Sequence, residues 1–541
     1  MNKTNLLIGG IRVPVNADEA FIFKKAKEKM KRAGIDVSSL HFRLYKKSVD
    51  ARKRDDICFA CTVQASTELP ADTFSASALQ RAEARIFEEK DIVPTFGNEP
   101  IDKSPLVVGM GPAGLFSALL LAQNGYSPIL IDRGGSVEER TAEVARFREK
   151  GILNTENNVQ FGAGGAGTFS DGKLITRIND ERCGYILRTL VRFGAPEEIL
   201  VKAKPHVGTD VLRTVVSNIL SEIERLGGTV RYHCRLDDIR ECADGTVVAV
   251  TSQGDIACSG IILALGHSAR DTYAKLIEKE YAIEPKPISV GVRVEHLQAD
   301  IDRALYGSFA GHPALGPAEY SLSDTKGSRG VYTFCMCPGG EVVAAASEEG
   351  HLVVNGMSYH ARNNPNANAA VAVSIGVDDY EPVNGSAALG AIAFQRRIER
   401  AAFLAGGGNY VAPIMTMGDF LSGKTGSEPT KVLPSYRDGM VKVSDFEQIF
   451  PSFVTQSLRY GLRSFGRKLV GYDNPNAILT AAETRTSAPL RILRSPDTMQ
   501  AIGHTKIYPC GEGAGYAGGI TSAAVDGLRV ALSFMQRYAP L

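Results

Sequence analysis

Cys335 and Cys337, spaced C-x-C in YTFCMCPGG, are two of the nine cysteines in this 541-residue chain; thiol redox chemistry is open to residues of this type, and an ordinary structural role is the competing reading. If a strand persists through them they share a face, and their Cβ atoms stand farther apart than the roughly 3.5–4.5 Å a disulfide needs. A loop at that point would relax the constraint. Cys58 and Cys61 form C-x-x-C in DDICFACTVQ, which reads as a strand, where three-residue spacing sends the two side chains to opposite faces. Cys510 precedes a glycine on an apolar strand and reads as core. Cations offer a second chemistry. His360 and Arg362 in SYHARNNPNAN, and Arg485 and Arg491 in ETRTSAPLRILR, are candidates for a substrate site. An arginine there clamps a carboxylate or phosphate bidentately, and an ordinary salt bridge is the competing reading for each. Lys173 joins them from a glycine-rich loop. No histidine pair has zinc-ligand spacing with a third ligand nearby, so no metal is expected.

The elements that must position these groups begin at SPLVVGMGPAGLFSALLLAQNGYSPILIDRG. Here LVV reads as a buried strand, Gly109, Gly111 and Gly114 form a G-x-G-x-x-G turn, LFSALLLAQNG is a helix, and SPILIDRG is a second strand. Gly109 permits the tight turn, Gly111 lets backbone approach a pyrophosphate, and Gly114 lets helix pack on strand. The helix start offers free N–H groups and a positive dipole end to phosphates. Asp132 lies 18 residues after Gly114, where an acid accepts from a ribose. An acid there disfavours a 2′-phosphate, so the nucleotide is the ADP half of FAD or NAD.

Downstream, NNVQFGAGGAGTFSDGKL is a second glycine-rich loop too long for a simple turn, and IILALG, ending at Gly266, reads as a strand returning to the nucleotide sheet. The same glycine spacing recurs at Gly513, Gly515 and Gly518, after KIYPC and before an apolar helix. Only 23 residues follow Gly518, with no second strand and no downstream acid. A mononucleotide half needs strand, helix and strand, so this segment is expected to complete the sheet begun at Leu106.

This arrangement resembles the glutathione-reductase-type flavoproteins, with a fumarate-reductase-like FAD fold. Within them GGAGTFSDGKLITR, YTFCMCPGGEVVAAASEEG, VNGMSYHARNNPNANAA, ETRTSAPLRILR and GEGAGYAGGITSAAVDG resemble the bacterial NAD(FAD)-utilising dehydrogenases, over essentially the whole chain. The resemblance implies an FAD site. Gly109, Gly111, Pro112, Ala113 and Gly114 would cradle the pyrophosphate, with Asp132 and the adjoining Arg133 at the adenosine ribose. Gly164, Gly165, Gly167, Thr168, Ser170, Lys173 and Leu174 would follow the pyrophosphate, ribityl chain and flavin. Leu236 would touch adenine through its backbone, Gly266 and Gly511 would also border the cofactor, and Glu512 would stand near the ribityl–phosphate part. Gly519, Ile520 and Thr521 would open the last helix towards the flavin O2. Glu512 replaces the aspartate many relatives carry, which leaves its contact open. The C-x-x-x-x-C of disulfide reductases does not follow the first fingerprint, so flavin-to-disulfide transfer of that kind is not expected.

The expected fold is α/β: a Rossmann-like FAD-binding domain (104–274 and 496–541) split by an inserted α+β substrate domain (275–495), behind a small basic α+β domain (1–95). In that first domain Lys24 to Arg54 hold twelve Lys/Arg against three Asp/Glu, although the whole chain carries a formal net charge of only +1. The patch reads as a solvated face or as a reader of an acidic partner such as RNA, with Phe42 and Tyr45 as sparse stacking aromatics. No run of 18 apolar residues is present, so no membrane span is expected. Scattered cysteines and no signal-peptide pattern point to a reducing cytoplasm. The functional expectation is an FAD-dependent oxidoreductase passing a hydride between flavin N5 and a small organic substrate. NAD(P)H, as reductant, would dock only transiently, because there is no second complete nucleotide domain. The alternatives are a flavoprotein acting on RNA and a flavin-dependent sensor.

Overall fold

The computed structural model describes residues 3–242 and 245–541. The chain opens with β1 (Thr4–Pro14), α1 (Glu19–Arg32), β2 (His41–Asp50), β3 (Cys58–Thr67) and β4 (Ala84–Ile86). The strands form an antiparallel sheet in the order β2-β3-β1-β4. Asp18 caps α1, its carboxylate accepting from Phe21 N at 2.8 Å. Buried Ile22, Ala26 and Met30 recur every four residues, so one apolar stripe faces the sheet and the lysines stay outside.

A parallel sheet follows. It begins with β5 (Leu106–Val108), α2 (Pro112–Gln123) and β6 (Ile129–Ile131). It continues through α3 (Val137–Lys150), α4 (Thr209–Arg225), β7 (Thr229–Arg231) and β8 (Ile261–Leu263). β5 and β8 are buried along their whole length, as expected of strands covered on both faces.

Residues 288–483 supply a different, mostly antiparallel sheet. Its elements are β9 (Ile288–Leu297), β10 (Ser323–Asp324), β11 (Val331–Cys337), β12 (Asn366–Ile375), α5 (Ala387–Ala405), β13 (Ala412–Thr416), β14 (Val441–Val443) and β15 (Ile478–Glu483). The order is β10-β11-β12-β9-β15-β13-β14, with only β13 and β14 parallel. Its apolar residues and those under α1 form one continuous core.

The chain then returns to the parallel sheet. β16 (Ile507–Pro509) pairs with β8, Ile261 opposite Ile507, and the completed order is β16-β8-β5-β6-β7. α6 (Ile520–Arg537) lies against α2. With the sheet on one side and α6 on the other, α2 is buried at every residue from Ala113 to Ala122.

Candidate functional site

The turn after β5 and the glycine-rich loop are moulded onto each other. Gly109 holds φ +103°, and a Cβ on Gly114 would sit 1.8 Å from the Gly109 carbonyl oxygen. Gly164 N donates to Met110 O at 2.9 Å, and a Cβ on Gly165 would meet Gly111 Cα at 2.8 Å. Two buried groups hold the loop there. The Asp132 carboxylate accepts from the backbone N–H of Met110, Gly134 and Gly162, each at 2.9 Å. Arg140 of α3 is fully buried and donates to the carbonyls of Asn158, Val159 and Ala163 at 2.7–2.8 Å. Burial pulls its guanidinium down to about 9, with only Asp132 opposing.

Two helices begin at this place without a side-chain cap. Gly111 precedes α2 and Gly519 precedes α6, so their first N–H groups and positive dipole ends are free for an anion. No atom stands within 4 Å of a Cβ built on Gly518 or Gly519. Both helix starts open on one cavity of about 310 Å³. Thr521 Oγ1 donates to Leu174 O at 2.8 Å, tying α6 to the loop.

Many of the expected cofactor residues line this cavity. They are Gly109, Gly111, Pro112 and Ala113 from the turn, Asp132 after β6, and Gly165, Gly167, Ser170 and Lys173 from the loop. Gly266 after β8 and Glu512, Gly519 and Ile520 from the last unit complete them. Arg133 and Leu236 line a smaller recess of about 30 Å³ that shares Gly109 and Asp132 with the first. Gly114, Gly164, Thr168, Leu174, Gly511 and Thr521 stand behind the wall and shape it; Gly511 N, for example, donates to Asp526 at 2.7 Å.

The five cations expected at a substrate site divide. Lys173 and Arg485 reach the cavity. Arg362 does not, because Asp171 and Glu319 hold it, its Nη1 donating to Glu319 at 2.7 Å. His360 stacks on His206 at 5.3 Å, and Arg491 pairs with Glu284 at 3.1 Å on a small two-stranded ribbon. Arg485 is itself engaged, donating to Ser268 at 3.1 Å and to Glu399 at 3.2 Å. Arg270 also grips Glu399, at 2.8 and 2.9 Å. Burial alone would raise the Glu399 carboxyl, but the two guanidiniums hold it well below the usual range.

Other groups on the cavity are tuned. Glu512 is pushed up to about 7 by burial, Lys286 opposing. His267 is pulled down to about 4 by burial and by Arg485, so its imidazole is neutral at pH 7. Opposite the glycines stand Cys335, Asn355 and Glu483. Glu483 holds the fully buried Arg293 of β9 at 2.7 and 2.8 Å. Sequence reasoning passes over Arg140, Arg293, Glu399 and Glu483. A signal exists for Arg293, since ISVGVRVEHL sets a charge inside an apolar strand.

The basic segment lies on α1, β2 and the turn after it. Phe42 carries Lys27 over its ring and Tyr45 packs edge-on against Phe87; Lys29 is paired with Glu83 and Arg52 with Asp50. Among the described residues no helix is long and apolar enough to cross a membrane, and no cluster of three or more His, Cys, Asp or Glu is placed to hold a metal.

Residues 287–486 match a family model described as FAD-dependent protein, C-terminal domain-like, and residues 8–66 match a domain of unknown function. Among solved structures, the halogenase PltM aligns at 10% identity over 80% of this chain and 69% of its own, TM-score 0.38. The L-proline dehydrogenase from P. horikoshii aligns at 11% identity over 80% of this chain and 93% of its own, TM-score 0.34. An uncharacterized protein of Clostridium beijerinckii is 44% identical over 535 residues, 98% of each chain. The chain therefore belongs to one family with the C. beijerinckii protein.

Proposed function

We propose that the chain is an FAD-dependent oxidoreductase acting on a small organic substrate. The observation that carries this reading is the meeting of two uncapped helix N-termini and a glycine loop on one cavity. Backbone donors with almost no side chains in front of them suit a pyrophosphate and a ring system that gains negative charge on reduction. The matched FAD-dependent family model supports the same cofactor. When bound, FAD supplies reversible two-electron transfer, and the protein supplies binding, orientation and charge.

In this reading the α2 N-terminus, with Gly111, Pro112 and Ala113, takes the pyrophosphate. The adenosine end would lie beside Asp132, towards Arg133 and Leu236. Asp132 already accepts three backbone N–H bonds, which leaves about one lone-pair site for a ribose hydroxyl. The α6 N-terminus at Gly519 and Ile520 faces the ring, where its dipole stabilises developing negative charge. Glu512 holds a proton near neutral pH. His267, Lys173 and Arg485 border the space left for the substrate, and NAD(P)H, where it is the reductant, docks there transiently.

The absorption spectrum of the purified protein tests this directly. A flavin band, with FAD released by heating and identified by chromatography, is the expected result. A colourless protein that also refuses added FAD would end the reading. Anaerobic mixing with NADH and NADPH then tests the reductant, by bleaching of the oxidised band.

A further inference from the structure

The seven-stranded sheet is irregular at one place facing the cavity. β11 pairs with β12 in register up to Phe334 opposite Ala370, and pairing resumes at Cys337 opposite Asn368. Cys335 and Met336 together oppose a single residue, a bulge of the kind that re-aims side chains beside sites. Within it Cys335 adopts φ +45°, a left-handed conformation costly for a residue with a Cβ and held only when its surroundings demand it. A regular strand would have kept the two cysteines apart. The bulge instead folds Cys337 back on its neighbour, its thiol donating to Cys335 O at 3.3 Å.

The surroundings fix this turn. Arg293 Nη1 donates to Cys335 O at 3.1 Å and stands 4.0 Å from Cys337 Sγ, while Lys173 Nζ donates to Met336 O. Cys335 lines the cavity and Cys337 is buried behind it. The neighbouring Cys337 thiol brings the Cys335 thiol down to about 7, with Arg293 and Lys173 helping against burial. Cys337 is raised. One thiol is thus the cavity-facing, acidic attacker and the other the buried resolver.

We propose that Cys335 and Cys337 are a redox pair that reduces a low-molecular-weight disulfide entering the cavity. The Cys335 thiolate attacks one substrate sulfur, forming a mixed disulfide and releasing the first thiolate. Cys337, losing its proton, then attacks Cys335 Sγ, closing the Cys335–Cys337 disulfide and releasing the second thiolate. The pair has given up two electrons and the substrate has gained them. Reduced FAD, bound as proposed above, would supply the two electrons and two protons that reopen the disulfide. For that electron source the inference rests on the proposed function.

Thiol mapping of the flavin-bearing protein as purified tests it. Protein reduced with dithiothreitol and desalted is equilibrated with oxidised glutathione, alkylated and digested with trypsin. Residues 330–362 form one tryptic peptide containing both cysteines and no other. In wild type this peptide is expected to become internally disulfide-linked at least tenfold faster than any other cysteine is modified. In Cys337→Ser, glutathione is expected to stay on Cys335. Anaerobic photoreduction of the flavin is expected to return the wild-type peptide to the dithiol. Full alkylation of both positions after glutathione treatment overturns the pair, and a disulfide that survives flavin reduction overturns its coupling to the cavity. Failure of the proposed function shows earlier and separately, as a protein without flavin in its first spectrum.

Discussion

Glu512 shows how far a single residue's chemistry is set by its neighbours. Burial lifts its carboxyl to about 7, with Lys286 only partly opposing. The neutral form is the one the fold prefers. The stability this contributes is complete below the ordinary carboxyl value and is lost as pH rises through about 7. The same charge, once formed, sits in the cavity offered to an anionic cofactor. FAD affinity is therefore expected to weaken by up to about tenfold per pH unit above 7. In Glu512→Gln the profile should be flat, as followed by flavin-fluorescence titration between pH 6 and 8; an unchanged slope would remove Glu512 from the site. The presence of an acid at this position is readable from its place after β16. Its raised affinity for a proton is not, because burial is a property of the assembled cavity.

At the scale of elements, the close contact of turn and loop makes a sharper forecast. A methyl group on Gly165 would meet Gly111 Cα at 2.8 Å, on a backbone held at φ +62°. Gly165→Ala must move the loop away from the α2 N-terminus. The expected result is at least tenfold weaker FAD binding with circular dichroism unchanged, because the loop lies outside the sheets. Wild-type affinity in this variant would mean that the loop is not part of the cofactor site. The glycine spacing makes β5, α2, β6 and the returning β16–α6 unit legible in the sequence, since each glycine answers a local backbone demand. The β11 bulge is illegible for the opposite reason. Nothing in YTFCMCPGG requires it; it is held by Arg293, which reaches it from β9, and by Lys173 of the glycine-rich loop, with Asn368 of the adjacent β12 opposite Cys337. The substrate cations mislead in part for a related cause. Arg362 and Arg491 are spaced like clamps, yet Asp171, Glu319 and Glu284 reach them first.

The whole molecule is joined through buried charge as well as through apolar contact. Arg270 follows β8 of the parallel sheet, whereas Glu399 lies on α5 and Arg485 just beyond β15. Glu399 thus bonds the two main bodies of the chain from a position with no solvent exposure. Glu399→Ala leaves two buried guanidiniums sharing Glu348, a cost of about 3–5 kcal/mol for a broken buried pair. A fall of that order in the unfolding free energy, read from denaturant titration, is expected, with flavin and protein signals lost together. A drop below about 1 kcal/mol would show that the network is not what unites the bodies. Because the two guanidiniums hold Glu399 well below the ordinary carboxyl value, its contribution is present at neutral pH and lost only as acid protonates it.

The enclosure of α2 between the parallel sheet and α6 has a consequence in time. β16 and α6 are synthesised about 400 residues after β5, which at roughly 5–20 residues per second is tens of seconds of translation. Throughout that interval α2, apolar on every side, has no covering helix, and the cavity lacks the wall formed by Glu512 and Gly519. A nascent chain of this protein is therefore expected to leave α2 without its covering helix for most of its synthesis. Because the cavity of the proposed cofactor site is completed only by this last unit, cofactor capture is expected late in maturation, not as an early nucleus for folding.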